Sequence, residues 1–230
     1  MNDVPVLSVI NLQSRHDGAL KLSDVSLHVA QKELVSILGA NGAGKTSLLG
    51  VISGLFKPSA GEVQLEGRSI TALPAHEIAK AGVGFAPQNH PIFPSLTVDE
   101  CLALGAGNAK LETFVLFPNL KIKRNQLAGF LSGGERQMLS MAIAMLNSPK
   151  ICIFDEPSSG LAPRIVSQVF EAIRVIVDNG VTVLMVEQNA RTALKIADRA
   201  YVMEHGRITM SGKAAELAEN DHIRRAYLGL

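Results

Sequence analysis

Cysteine is scarce in this chain of 230 residues: only Cys101 and Cys152 occur, too few for a disulfide framework or a cysteine-rich metal scaffold. Cys152 stands in the apolar run Ile151-Cys152-Ile153-Phe154, where it reads as a small buried hydrophobe rather than a reactive thiol. No charge of one sign dominates. The 22 Lys and Arg residues face 21 Asp and Glu, so the one-sided field needed for general attraction to nucleic acid or anionic lipid is missing. No uninterrupted apolar run approaches the roughly 18 residues of a membrane span. The start, Met1-Asn2-Asp3-Val4-Pro5, lacks the basic and apolar regions of a secretory signal. The expectation is a cytoplasmic chain that serves a membrane only by docking to it. A repeat of roughly 20 to 50 residues is absent, as is any low-complexity linker, and an apolar share of 47% suffices for a sizeable core. One domain over residues 1–230 is expected.

The first 70 residues carry short Val-, Ile- and Leu-rich segments, among them Leu7 to Leu12, Val25 to Val29 and Leu34 to Leu38, separated by turn residues; these predict strands. After Gly39 the pattern becomes helical, with Leu48, Leu49, Ile52 and Leu55 in step until Gly54 and Pro58 interrupt it. Residues 91–124 differ in kind. Prolines 91, 94 and 118, helical patches near Val98 to Leu104 and Leu111 to Phe117, and few strand signals predict a small helical subdomain, placed at about 89–134. Beyond Ser132, helix faces (Met138, Met141, Ala142, Met145, Leu146; then Val166, Val169, Phe170, Ile173, Val177) alternate with the fully apolar runs Ile151 to Phe154 and Val181 to Val186. Unbroken apolar strands between helices predict an α/β fold with a mostly parallel sheet covered on both faces.

Gly39-Ala40-Asn41-Gly42-Ala43-Gly44-Lys45-Thr46 fits G-x-x-x-x-G-K-[ST]. In that pattern glycines let backbone amides turn inward and the following helix offers its positive end to phosphate. Lys45 reaches the β- and γ-phosphates, the Thr46 hydroxyl ligates Mg²⁺, and Ser47 offers a hydroxyl near the α-phosphate. A plain glycine-rich turn at a helix start is the competing reading; the strand before and the helix after weigh against it. Asp155-Glu156 closes an apolar strand, where ligands gather in open parallel sheets. Asp155 suits the Mg²⁺ shell and Glu156 suits an attacking water; standing alone, the pair would read as a solvated turn before Pro157. Leu131-Ser132-Gly133-Gly134-Glu135 precedes the Met-rich helix and presents a hydroxyl and bare amides at its N-terminus, a second anion site. One nucleotide does not need two such sites from one chain, whereas a composite site between two chains does.

With these motifs the sequence resembles an ABC ATPase over almost its whole length: phosphate loop, Gln88 in Phe85-Ala86-Pro87-Gln88, signature Leu131 to Glu135, Asp155-Glu156, then Ser158-Ser159-Gly160-Leu161, all in family order. The resemblance implies a P-loop NTPase fold with an antiparallel N-terminal β part, ATP and Mg²⁺ as cofactors, and transport-coupled ATP hydrolysis. It implies a head-to-tail dimer in which each ATP lies between one subunit's phosphate loop and the other's signature. Ser158, Ser159, Gly160 and Leu161 would cross that interface, and Gln88 would join Thr46 and Asp155 at the metal. The wording Val186-Glu187-Gln188-Asn189-Ala190, with Ala40-Asn41, Leu116-Phe117-Pro118 and the closing Ala226-Tyr227-Leu228-Gly229, is similar to one of the two ATPases of bacterial branched-chain amino acid importers, a subgroup with urea and amide relatives. Partners implied are a second ATPase (different or identical in sequence), membrane permease subunits and, indirectly, a solute-binding protein, at the cytoplasmic face of the membrane.

Two departures from the family pattern stand out. Gln188 occupies the switch position where a histidine usually contacts the γ-phosphate; its amide donates one hydrogen bond but cannot become cationic, so slow hydrolysis at this chain's own site is expected. Where an aromatic usually stacks on adenine, Ser14-Arg15-His16-Asp17-Gly18 offers only His16, which stands equally as an ordinary loop histidine. Histidines 28, 76, 90, 205 and 222 are scattered and read as structural. Ile92, Phe93 and Leu96 suit either a groove for a membrane partner or ordinary packing. A nucleic-acid or ribosome ATPase is disfavoured by the single domain and balanced charge, a kinase or GTPase has no use for the signature, and an exporter or lipid-handling ATPase is the runner-up.

Overall fold

The structure is a computed structural model that describes residues 4–16, 19–71, 73–89, 92–104 and 109–228. Strands β1 (Leu7–His16), β2 (Ala19–Val29), β4 (Ala60–Leu65) and β5 (Arg68–Ser69) form an antiparallel sheet in the order β2-β1-β4-β5. A second sheet, ordered β10-β9-β3-β8-β7-β6, uses β3 (Leu34–Leu38), β6 (Val83–Ala86), β7 (Ile151–Asp155), β8 (Thr182–Glu187), β9 (Arg199–Glu204) and β10 (Arg207–Lys213). It is parallel except for β10, which turns back against β9.

Alternation along the parallel strands feeds two separate cores. Val35, Ile37, Ile151, Ile153, Leu184, Val186, Tyr201 and Met203 face the antiparallel sheet and helix α1 (Lys45–Ile52). Leu34, Leu38, Cys152, Phe154, Val183, Met185, Ala200 and Val202 face the other way, onto the later helices. Side chains of a strand point alternately to opposite faces, so a strand buried on both is apolar along most of its length, Ser36 in β3 being the exception. That is why these runs show no polar alternation. Each fully buried Leu, Ile or Phe contributes about 1.5–3 kcal/mol relative to exposure. Both cysteines are buried, and desolvation pushes the Cys152 thiol up to about 12, as suits a packed hydrophobe.

The helices are α1, α2 (Ala75–Ala81), α3 (Val98–Leu102), α4 (Ala109–Leu116), α5 (Pro118–Ile122), α6 (Gly133–Met145), α7 (Pro163–Asp178), α8 (Ala190–Ile196), α9 (Ala214–Glu219) and α10 (Asp221–Ile223). Leu55 does not join the face of α1. The helix ends at Ile52, Gly54 turns at φ +75°, and Phe56 folds back over Gly50, leaving Leu55 59% exposed. Pro118, counted among the signs of a helical subdomain, starts α5, since a proline at the first helical position forfeits no hydrogen bond. Ile92 and Leu96 pack against the helical core, whereas Phe93 is exposed. His90, Pro91 and residues 105–108, within the span expected to be a helical subdomain, lie outside the described residues. Among the described residues no helix is long and apolar enough to cross a membrane.

Candidate functional site

Strand β3 ends at Leu38 and α1 begins at Lys45, so the intervening loop sits at the carboxyl edge of the parallel sheet. Gly42 and Gly44 turn at φ +82° and +108°, a region other residues adopt at a cost. No side chain caps α1, so its first-turn amides remain free for an anion. The loop is fixed from behind by the β9–β10 hairpin. A Cβ on Gly39 would lie 2.5 Å from the Met203 carbonyl oxygen, and the Gly206 amide donates to the Ala43 carbonyl at 2.8 Å. His205, set aside in the sequence as a scattered histidine, occupies that hairpin turn at φ +48°. Tyr227, from the closing motif, donates its hydroxyl to Glu204 at 2.9 Å, tying the C-terminal segment to the same hairpin.

Lys45 is 4% exposed, and its ammonium donates to the Gly39 carbonyl at 2.8 Å and to the Ala40 carbonyl at 3.1 Å. It also meets Glu156 Oε1 at 3.1 Å. Glu156 stands just past β7 in the left-handed region, φ +46°, a placement that costs about 1–3 kcal/mol and aims its carboxylate back across the sheet edge. Its Oε2 accepts from Gln88 Nε2 at 3.0 Å, and the same Gln88 amide lies 3.3 Å from the Ser159 hydroxyl. A cavity of about 220 Å³ is lined by Asn41, Gly42, Gly44, Lys45, Thr46, Ser47, Gln88 and Glu156. Lys21 of β2 completes that lining. No spacing along the chain marks this second cation, because an antiparallel strand brings it in from before the loop.

Asp155, the last residue of β7, is buried, and its Oδ1 finds no hydrogen-bond partner among the described residues. Desolvation, reinforced by Glu156 and opposed by Lys45, raises its pKa to about 6 from 3.8. Burial therefore favours the neutral acid. The stability that the neutral form supplies is present at low pH and is lost as pH climbs through the window from 3.8 to about 6. Asp155→Asn in nucleotide-free protein should accordingly raise the melting temperature at pH 8, with the gain shrinking toward zero only as pH falls to about 3.5, below the unfolded value. An equal gain at both pH values would show that charge burial is not the cause.

Gln188 lies exposed just beyond β8, lining a cavity of about 280 Å³ with Glu156, Ser158, Ser159, Gly160, Glu187 and Asn189. The structure thus gathers the loop 158–160, Gln188 and Glu156 around one opening. Glu187 was not singled out in the sequence, yet its buried carboxylate accepts from the Ser158 amide and hydroxyl, both at 2.9 Å. Leu131, Ser132, Gly133, Gly134 and Glu135 line neither opening. Ser132 caps α6 in a reciprocal box with Glu135, whose carboxylate accepts from the Ser132 amide at 2.9 Å and also meets Lys123 at 2.7 Å. Gly134 has a packing reason for being glycine: a Cβ there would come within 2.2 Å of the Ile165 side chain. The side chain of His16, with Asp17 and Gly18, lies outside the described residues.

Residues 22–159 match the sequence family described as ABC transporter. The chain is 44% identical to the high-affinity branched-chain amino acid transport ATP-binding protein BraG of Pseudomonas aeruginosa, covering 97% of this chain and 100% of that protein. It is 33% identical to the lipopolysaccharide export system ATP-binding protein LptB of Haemophilus influenzae, covering 97% of each. Among solved structures, it is similar to a dimeric ATP-binding cassette in a post-hydrolysis state bound to ADP and Pi. The TM-score there is 0.78 at 25% identity, over 90% of this chain and 98% of that one.

Proposed function

The chain belongs to the ABC transporter family and is an ATP-hydrolysing transporter subunit; on that premise we propose that it powers import of branched-chain or other hydrophobic amino acids, docked on membrane permease subunits. The observation that carries the dimeric part of this reading is that the cavity around Lys45 is bounded by Gln88 and Glu156 but by no residue of the signature. The site is half of one. The phosphate loop 39–46 and Ser47 hold ATP, and a second ATPase, different or identical in sequence, closes it with its own signature across Ser158, Ser159, Gly160 and Leu161. The dimeric cassette it resembles supports that arrangement. The full-length likeness to BraG supports the cargo, and LptB keeps an export role as the second reading. Specificity for the cargo resides in the permease and solute-binding proteins.

Within the site, Lys45 serves two anions in turn. In the structure it neutralises Glu156. When ATP phosphates draw the ammonium away, Glu156 keeps only Gln88 as partner and is free to orient and deprotonate water. Gln188 supplies one amide hydrogen bond to the γ-phosphate and no positive charge. Mg²⁺ fits the donors present: the Thr46 hydroxyl, Gln88 and the unpartnered Asp155 Oδ1 offer oxygens beside phosphates, while no self-sufficient cage of three or more His, Cys, Asp or Glu occurs among the described residues. The ion would neutralise charge on the β- and γ-phosphates. His16 remains the candidate for contacting adenine.

Deleting the gene in its host and following labelled leucine tests the reading. Uptake should fall to background and return when the parent chain, but not Glu156→Gln, is supplied. Normal uptake with accumulation of an envelope lipid inside the cell would favour the export reading.

A further inference from the structure

Glu187 is a buried acidic group at this edge of the sheet that the hydrolytic scheme leaves without a task. It is the last residue of β8, 1% exposed, in register with Leu38 on the strand that leads into the phosphate loop. A carboxylate at such a depth is costly unless its oxygens are hydrogen-bonded. Desolvation, with Glu156 nearby, raises its pKa, while the bonds from Ser158 oppose that rise. Each of its oxygens accepts from Ser158, Oε1 from the amide and Oε2 from the hydroxyl, both at 2.9 Å, and the Asn189 amide adds a further bond that opposes the rise. The Glu156 amide donates to the Val186 carbonyl at 3.0 Å, so the ends of β7 and β8 are stitched together at three points. Beyond Ser158 the loop loosens, with Ser159 and Gly160 exposed and Gly160 turning at φ +71°. Immediately after Glu187 comes Gln188, itself exposed at the mouth of the cavity.

We infer that Glu187 is a positioning residue that fastens the loop 158–161 to the strand end carrying Gln188, so that contact of that loop with the second ATPase sets how Gln188 reaches the phosphates. The inference rests on the proposed function, in which Ser158 to Leu161 meets the partner and Gln188 meets ATP. It also gives the switch a source of order. Gln188 lacks the charge that would draw a histidine to phosphate, and a rigid neighbour replaces attraction with placement.

The experiment uses the transporter purified from membranes through a tag on this chain. Glu187→Met removes both acceptors, Ser158→Ala removes one donor, and Glu187→Gln keeps an acceptor for the amide and a donor for the hydroxyl. Turnover should fall roughly tenfold in Glu187→Met, as for loss of a charge-assisted hydrogen bond, and less in Ser158→Ala. Combining the two should cost no more than Glu187→Met alone. Glu187→Gln should restore most of the rate, and ATP affinity and melting temperature should stay near the parent's throughout. In a Gln188→Ala background, Glu187→Met should change nothing further.

Multiplying losses, a damaged Glu187→Gln, or a further loss in the Gln188→Ala background would each overturn the inference. So would a fall in affinity and melting temperature that tracks the rate, the mark of packing alone. If Glu187→Met does not fold, Ser158→Ala decides: unchanged turnover sinks the idea, and a selective loss of rate supports it. Glu156→Gln is assayed alongside. Should that variant still turn over, the proposed function of the site fails; should it be dead while Glu187→Met runs normally, only the positioning role fails.

Discussion

Glu156→Gln should abolish ATP turnover by the assembled transporter and leave ATP binding intact or tighter. The carboxylate is the group placed to take a proton from water, and loss of a general base typically lowers rate by roughly 10²- to 10⁴-fold. Glutamine is close to isosteric and can still accept from the Gln88 amide through its carbonyl oxygen, so the local geometry survives. Binding tightens for a separate reason. Glu156 competes with phosphate for Lys45 at 3.1 Å, and the neutral amide competes weakly. Phosphate release and ATP titration on the same preparation check both halves. Turnover within a few-fold of the parent would remove Glu156 from the role of base.

Lys45→Ala should have the converse signature, a loss of nucleotide affinity before any question of rate. The ammonium is almost fully buried and already holds two loop carbonyls, so its position is fixed before ligand arrives and little ordering remains to be done on binding. Removing one partner of a buried charge contact costs about 2–5 kcal/mol, which is a fall in ATP affinity of roughly 30-fold to a few thousand-fold. The substitution also strands the Glu156 carboxylate. The double variant Lys45→Ala with Glu156→Gln should therefore regain thermal stability without regaining affinity. Normal ATP affinity of Lys45→Ala by calorimetry would contradict the placement of phosphate in this cavity.

What could be read from the sequence was whatever is contiguous along the chain. The phosphate loop, the Asp155-Glu156 pair at a strand end and the Ser132 to Glu135 helix start are each set by neighbours within a turn or two, and the structure shows each on the expected element. Strands β3, β7 and β8 were legible because two-sided burial keeps them apolar between their ends, Ser36 in β3 excepted. Lys21, Glu187 and the Met203 to Gly206 hairpin were not, because they reach the site through pairing between strands distant in sequence, and a lone lysine or glutamate carries no spacing to betray it. Leu55 misled for a local reason. Helical spacing continues past a glycine that ends the helix.

The support of the phosphate loop carries a consequence for how the protein comes into being on the ribosome. Strand β3 is flanked by β8 and β9, and the loop leans on Met203 and Gly206. All of these are synthesised long after Lys45. A nascent chain that has emerged through β7 holds the loop, Lys21 and Gln88, but neither the strands that flank β3 nor the hairpin behind the loop. The loop therefore gains its full support only after the β9–β10 hairpin, more than 150 residues on from Lys45, has been made and paired.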